Sequence, residues 1–195
     1  MEFSHNDDHI NNVPLSKFES MLKTNNVLFF DSEEFENIIH HYLEKGKISL
    51  AKKAIKLGLE QHPSSVTLKL FKIEINIFEN NFDLADELLN ELYVTEPMNE
   101  DIYIQKANIL SKQDKHEDAI NVLKTALELA HETSDLYSLI GMEYLFLDQF
   151  ENAKINFMRC LENDDNDYSA LYNVIYCFDF FPLRINMFLL SIIFN

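Results

Sequence analysis

Small and large apolar residues recur along this chain at a constant spacing of 34 positions. Alanine marks the pattern four times, at Ala51, Ala85, Ala119 and Ala153. A large apolar residue follows each alanine four positions later: Ile55, Leu89, Leu123 and Phe157. Residues four apart lie on one face of an α-helix. Because periods of this length are typical of helical repeat arrays, the pattern predicts a row of similar helical units.

A second marker precedes each alanine by twelve positions and is apolar or small: Ile39, Ile73, Ala107 and Gly141. Pro63 and Pro97 are also 34 apart and separate successive units, because proline ends one helix and is tolerated at the start of the next. The pattern resembles the tetratricopeptide repeat over residues 32–167. This resemblance implies an all-α fold, a right-handed α-solenoid of antiparallel helix pairs.

We expect the chain to be organised as a row of units between two different ends. The predicted segments are a disordered acidic tail (1–13), an N-terminal cap (14–31), repeats 32–65, 66–99, 100–133 and 134–167, and an incomplete fifth repeat (168–195) with an apolar C-terminal segment. In the cap, a helix from Pro14 and the apolar run 27–30 are expected to cover the first repeat. Ser32 is the expected N-cap of that repeat.

Apolar residues at helical spacing predict which face of each first helix is buried. In the first repeat these residues are Phe35, Ile38, Ile39 and Tyr42. In the second repeat the apolar stripe lies one residue earlier than in the others, which predicts a rotated helix with Leu68, Phe71, Ile75 and Phe78 inside. In the fifth unit the expected stripe is Tyr168, Leu171, Val174, Ile175 and Phe178.

The repeat pattern stops near residue 179. Pro182 stands where the turn within the fifth unit is expected, and residues 183–194 are mostly apolar. Twelve residues are too few to span a bilayer, which needs about 20. The segment is either a second helix that closes the array or an unrelated apolar end acquired by truncation or a shifted reading frame. In both cases we expect self-association to occur there, because a helix that is apolar all round favours burial.

Composition agrees with an almost purely helical protein and argues against two classes of partner. Three glycines and four prolines are too few for a turn-rich β fold, and 47% of the residues are hydrophobic. The net charge is −17 and lies mainly in repeats two to four, so we expect neither nucleic acid nor a membrane as partner. This acidity either attracts a cationic partner or only maintains solubility.

Two cysteines and a polar start without a signal-peptide pattern predict a cytoplasmic location. The abundance of Asn, Ile, Lys and Phe predicts an AT-rich genome and a bacterial source.

No residue pattern indicates catalysis, a cofactor or a metal. His5 and His9 lie in the expected tail, and the adjacent His40 and His41 belong to different helix faces. The acidic run 164–167 lacks the glycine and distal glutamate of a calcium loop and is interpreted as a turn. The sequence contains neither a Gly-rich phosphate loop nor a nucleophile elbow, so we expect a protein that is not an enzyme.

The resemblance implies a concave groove lined by the first helices, which usually binds a peptide or a partner helix. The candidate groove residues are Glu33, Glu36, His40, Leu70, Glu74, Ile104, Asn108, Ser138 and Met142. Only Asn108 and Lys112 match the groups that grip a C-terminal carboxylate in some family members, and Glu36 and Glu74 repel an anion. We therefore expect an adaptor for a basic or apolar segment of another protein. The alternatives are a structural segment that forms homo-oligomers through residues 168–195, and a purely packing role for Leu70, Ile104 and Met142.

Overall fold

The computed structural model describes residues 12–24 and 27–178, and within these ranges all regular structure is α-helical apart from turns. Its helices are α1 (Asn12–Thr24), α2 (Ser32–Glu44), α3 (Ile48–Gln61), α4 (Val66–Phe78), α5 (Phe82–Thr95), α6 (Glu100–Lys112), α7 (His116–Leu129), α8 (Ser134–Phe146) and α9 (Phe150–Asn163), followed by helical residues 168–178. First helices of 13 residues alternate with second helices of 14 from α2 to α9. The expected all-α solenoid of antiparallel helix pairs is therefore confirmed.

Contacts divide the chain into two compact units, Met1–Leu88 and Leu89–Asn195, which are described separately below. The four marker alanines, two in each unit, have no exposed surface at all. This confirms that they are positions where a small side chain lets helices approach closely. Residues 1–11 of the expected tail (1–13), with His5 and His9, and the C-terminal segment with Pro182 lie outside the described residues, whereas residues 12 and 13 belong to α1.

The first unit is organised around an aromatic cluster. Phe18 of α1 packs edge-on against Phe30 and Phe35, with ring centroids 5.9 and 6.3 Å apart. The buried face predicted for α2, including Ile38, Ile39 and Tyr42, is confirmed. Because aromatic side chains bury large areas, this cluster fastens the cap to the first helix pair.

The cap differs from the prediction in one detail. α1 begins at Asn12, two residues before the expected start, and Pro14 is tolerated there because the first helical turn has no amide partners to lose. In the run 27–30 only Phe30 is buried, whereas Val27 and Phe29 are 84% and 75% exposed. The run still contacts the first repeat as expected, because Phe30 packs on Phe35 and the ring centroid of Phe29 lies 5.4 Å from that of His62. Gln61 holds the backbone of the run with hydrogen bonds to Phe30 N and Leu28 O.

The register predicted for α4 is only partly correct. Leu68, Phe71 and Ile75 are buried as expected, but Phe78 is 66% exposed. Ile73 is also buried, at the slot that the other repeats use. α4 therefore buries a broad surface that includes both candidate stripes, and its last residue, Phe78, stays exposed.

In the second unit, α6 to α8 share one apolar cluster around Ala119 and Leu123, and α9 shares another with helical residues 168–178. The prediction for the fifth unit is wrong except at Val174. The buried face consists of Ala170, Val174 and Cys177, and Tyr168, Leu171, Ile175 and Phe178 are exposed. The small residues face α9 because they let the helix approach Phe157 and Cys160 closely.

Glycine also permits close approach at two sites, one in each unit. A Cβ atom added at Gly58 would lie 3.0 Å from Leu68 Cδ1, and one added at Gly141 would lie 2.8 Å from the ring of Phe157. The small residue at the marker position Gly141 therefore lets α8 and α9 approach closely. The cost of glycine within a helix is offset there by the packing of a large aromatic ring.

All four turns within the helix pairs are built in the same way. Each contains one residue with a left-handed backbone, and these are again 34 apart: Gly46, Asn80, Asp114 and Asp148, with φ between 58° and 65°. The next amide in each turn donates to a carbonyl oxygen five residues back, over 2.7–2.9 Å. Gly, Asn and Asp are the residues that tolerate this conformation at a helix C-terminus.

The first helices α2, α4 and α6 begin at side-chain caps, and α2 begins one position before the expected residue. Ser32 is the first residue of α2 rather than its cap; Asp31 is the cap, because its carboxylate accepts from Glu34 N at 2.8 Å while Glu34 accepts from Asp31 N. Ser65, Asn99 and Asp167 accept amides in the same way at the starts of α4, α6 and residues 168–178. The polar run 164–167 is thus a turn and a cap, as interpreted from the sequence.

Candidate peptide-binding faces

The nine candidate groove residues lie on first helices, and none of them is buried. Glu33, Glu36 and His40 are on α2, Leu70 and Glu74 on α4, Ile104 and Asn108 on α6, and Ser138 and Met142 on α8. On each helix they are three or four residues apart, which gives them a common face. We call these faces the first-helix faces.

In the first unit the structure brings His40 and Glu74 together. The imidazole of His40 contacts the edge of Phe71 on α4, with ring centroids 4.9 Å apart. Burial raises the pKa of Glu74, and the nearby His40 lowers it by a smaller amount. A carboxylate that has lost part of its hydration interacts strongly with an incoming cation.

A chain of hydroxyl groups orders the start of the same face. Ser32 Oγ donates to Glu36 Oε1 at 3.1 Å and lies 3.1 Å from Ser65 Oγ at the start of α4. Glu33 is exposed and Leu70 is half-buried. The face therefore presents three carboxylates around a histidine and one accessible leucine.

In the second unit, α6 presents a less acidic face. Asn108 Nδ2 donates to Gln105 Oε1 on the same helix at 3.3 Å, and Lys112 is exposed. Ile104 packs partly against the apolar cluster of α6 to α8, so part of its side chain serves the core. Burial raises the pKa of Asp101 at the start of this face, and the neighbouring Glu100 raises it further.

On α8, Ser138 is half-buried and Met142 packs partly against the cluster of α9 and residues 168–178. Asn173 Nδ2 approaches Met142 Sδ at 3.7 Å. Sequence reasoning placed neither Asn173 nor Phe71 at the candidate faces. The apolar spacing predicts Phe71 as a core residue. Its position three residues before Glu74 is the signal that could have placed it beside the candidate face as well.

The two cysteines are packing residues in the described part of the chain. Cys160 Sγ donates to Asp167 Oδ2 at 3.2 Å and lies 3.3 Å from Ser134 Oγ. Burial raises the pKa of Cys160, which keeps the thiol protonated and unreactive, and burial raises the pKa of Cys177 too. Both cysteines are free.

Within residues 12–24 and 27–178, no three His, Cys, Asp or Glu side chains converge as metal ligands. His40 and His41 contact different rings, those of Phe71 and Tyr42. In the same ranges, no helix combines the length and hydrophobicity that crossing a membrane requires.

Comparison with known proteins identifies the repeat type. The family model of the tetratricopeptide repeat matches residues 100–132 and 134–167, which correspond to α6–α7 and α8–α9. No curated protein matches the chain in sequence.

Solved structures with the same fold have low sequence identity to this chain. A thermophilic tetratricopeptide repeat protein of Thermus thermophilus has a TM-score of 0.70 at 16% identity, over 84% of this chain and 88% of its own. The structure of pilF from Pseudomonas aeruginosa has a TM-score of 0.62 at 22% identity, over 75% of this chain and 67% of its own. In a hetero-tetramer of Cut9 and Hcn1 from the APC/C, the matching chain has a TM-score of 0.68 at 15% identity. That match covers 88% of this chain and 34% of the neighbour, so this chain spans about a third of it.

Proposed function

We propose that this chain, which matches the tetratricopeptide repeat over residues 100–132 and 134–167, is a non-catalytic adaptor that binds a basic or apolar segment of another protein on its first-helix faces. Tetratricopeptide repeats generally mediate protein–protein interactions, and proteins with this fold are generally scaffolds. The bound segment is an extended peptide or a partner helix. A cytoplasmic location and a bacterial source remain predictions from composition.

The observation that supports this polarity is the accessible carboxylate of Glu74 beside His40, whose ring packs on Phe71 of the same helix as Glu74. Glu33 and Glu36 add two carboxylates on the neighbouring helix, and neither forms an ion pair with a described residue. A lysine or arginine of the partner restores the interactions that Glu74 lost with water. Leu70 offers an apolar contact next to it.

A C-terminal carboxylate is a poor ligand for the same face. Gripping such an anion needs several lysine, arginine or asparagine side chains, and the second unit offers Asn108 and Lys112. The three glutamates of the first unit repel it. The partner segment therefore differs in charge from the acidic tails that some members of the family bind.

The test is a pulldown that compares two variants of equal charge change. Glu36→Lys with Glu74→Lys reverses the proposed face, and Glu87→Lys with Glu91→Lys reverses two exposed carboxylates on α5. We expect the first variant to lose partners that the wild type and the second variant capture, as quantified by mass spectrometry. Equal capture by all three proteins contradicts the proposed face.

The second candidate function is self-assembly through residues 168–195. Leu171, Tyr172, Ile175 and Phe178 are exposed on the described part of this segment, which favours pairing with another copy. If this is correct, Leu171→Glu with Ile175→Glu converts an oligomer of the full chain into a monomer in multi-angle light scattering. The matched control, Val94→Glu with Met98→Glu, changes two exposed apolar residues elsewhere and leaves the oligomer intact. A wild-type chain that is monomeric excludes this function.

A further inference from the structure

The first unit contains a cavity of about 410 Å³ between α3, α4 and the start of α5. Its apolar lining is supplied by Ile55, Leu59, Ile75 and Leu84, and Lys52, Lys56 and Lys72 stand around it together with Glu60. The isoleucines are buried, whereas the side chains of Lys52 and Lys56 are 48% and 78% exposed. The cavity is therefore an apolar depression that opens to solvent between ammonium groups.

The cavity lies in a basic stretch of an acidic protein. Between residues 45 and 72 there are seven lysines and one carboxylate, Glu60, although the whole chain carries a net charge of −17. Lys52 pairs with Glu79 at 2.7 Å, and Lys56 lies 4.0 Å from Glu60. The ammonium of Lys72 has no ion-pair partner among the described residues. The residues that line the cavity thus carry three ammonium groups and one carboxylate, an excess of positive charge that attracts an anion to the rim.

This cavity is separate from the first-helix face of the same unit. An α-helix turns by about 100° per residue, so Lys72 projects about 160° away from both Leu70 and Glu74. Lys72, Ile75 and Asn76 line the cavity, and Leu70 and Glu74 belong to the opposite side of α4. The two surfaces also have opposite charge, which makes them suitable for different ligands.

We propose that this cavity binds an acidic peptide segment of another protein, with one bulky apolar side chain inserted among Ile55, Leu59, Ile75 and Leu84. A neighbouring carboxylate of the peptide pairs with Lys72, and a second one pairs with Lys56, whose own contact with Glu60 is long at 4.0 Å; Lys52 stays paired with Glu79. The volume falls in the range of ligand pockets, about 300–1,000 Å³, and the combination of an apolar floor with a few charged groups is typical of them. A long polyanion such as nucleic acid is disfavoured, because it would also meet the acidic remainder of the chain.

The experiment is a titration of the isotope-labelled full chain with a blocked peptide, Glu-Glu-Leu-Phe-Glu-Glu, followed by amide NMR. We expect chemical-shift changes at Ile55, Ile75 and Leu84, and none at Glu36 or Leu70. Replacing Leu-Phe by Ala-Ala in the peptide, or all its glutamates by lysine, is expected to abolish these changes. Shifts confined to the first-helix faces overturn the proposal, as does binding of decanoate without binding of the peptide.

Two variants with the same change of charge, one inside the cavity and one outside it, test whether the peptide binds at the cavity or responds only to the overall charge of the protein. Lys72→Glu is expected to weaken binding at least about fivefold, because it places a carboxylate beside the peptide's own. Lys53→Glu makes the same charge change at an exposed position of α3 outside the cavity and is expected to weaken binding less than about twofold, since exposed charges are screened.

Leu84→Glu at the half-exposed rim is a second test that does not depend on how Lys72→Glu folds. It is also expected to weaken binding. Equal effects of Lys72→Glu and Lys53→Glu, or unchanged binding to Leu84→Glu, overturn the proposal.

Discussion

The two units each bury a polar side-chain group among apolar helices, but they treat it differently. In the first unit the hydroxyl of Tyr42 is buried and has no hydrogen-bond partner among the described residues. In the second unit Glu143 is buried on α8, and His116 Nδ1 on α7 donates to its Oε2 at 2.8 Å. The comparison teaches that burial alone does not reveal what a polar group contributes, since the Tyr42 hydroxyl gains no hydrogen bond from the described residues whereas Glu143 joins two repeats.

The paired group replaces residues that are apolar elsewhere in the array. Ile75 and Ile109 occupy the slot of Glu143 in the preceding repeats, and both are buried. His116 stands where Ile48 and Phe82 stand, and it also stacks on Phe146 with ring centroids 4.9 Å apart. At these two slots the second unit therefore has a hydrogen-bonded polar pair where these preceding repeats have apolar residues.

The largest effect is expected when the pair in the second unit is broken. His116→Ala leaves the buried carboxylate of Glu143 without its donor, which should lower the free energy of unfolding by about 3 kcal/mol. A urea titration followed by circular dichroism measures the change. A loss below about 1 kcal/mol would show that Glu143 reaches water in the native state.

The control for this variant places apolar residues at both positions, as in the preceding repeats. His116→Ile with Glu143→Ile is expected to be about as stable as the wild type, because a well-packed apolar pair often replaces a buried polar pair at no cost. If the double variant is as unstable as His116→Ala, the effect comes from lost packing on Phe146 and not from the unpaired carboxylate.

A smaller effect of opposite sign is expected in the first unit. Tyr42→Phe removes the hydroxyl without a partner and keeps the ring that packs on Phe18, so it should raise the free energy of unfolding by about 1 kcal/mol. The same urea titration measures it. Destabilisation by Tyr42→Phe would mean that the hydroxyl has a hydrogen-bond partner after all.

The smallest effect is expected at the ion pair of Lys52 and Glu79, which joins α3 to the end of α4 on the surface. Its sequence separation of 27 residues equals that of His116 and Glu143. Both side chains are at least one-third exposed, so Lys52→Ala should cost about 0.5 kcal/mol and less at high salt. Measuring the variant in low and in 1 M NaCl tests the screening. If Lys52→Ala costs as much as His116→Ala, burial does not explain why the two pairs should differ in their contribution to stability.

Much of the fold is predictable because the same pattern of small and apolar residues recurs in each repeat, so each occurrence supports the others. The buried alanines, the first-helix faces and the close approach at Gly141 all follow from residues that recur at one spacing. The fifth unit shows the limit. Its larger apolar residues suggested one stripe, but the small Ala170 and Cys177 decide which face can approach α9, because close approach depends on side-chain size.

The candidate site is less predictable from sequence. Helical spacing selects the residues of a face, but not the ring contact of His40 with Phe71 or the dehydration of Glu74, because both depend on how α2 and α4 pack. The basic stretch 45–72 is visible in the sequence. The cavity beside it is not, since its volume depends on side-chain positions in three helices.

The left-handed residues of the four turns have a consequence for how such a chain can evolve. Each turn closes within its own helix pair by a backbone hydrogen bond, so it needs no support from a neighbour. Recombination between the codons of two such residues, for example Asp114 and Asp148, inserts or deletes one whole pair and regenerates the same turn at the junction. Array length can therefore change in a single genetic step without a new loop having to be selected.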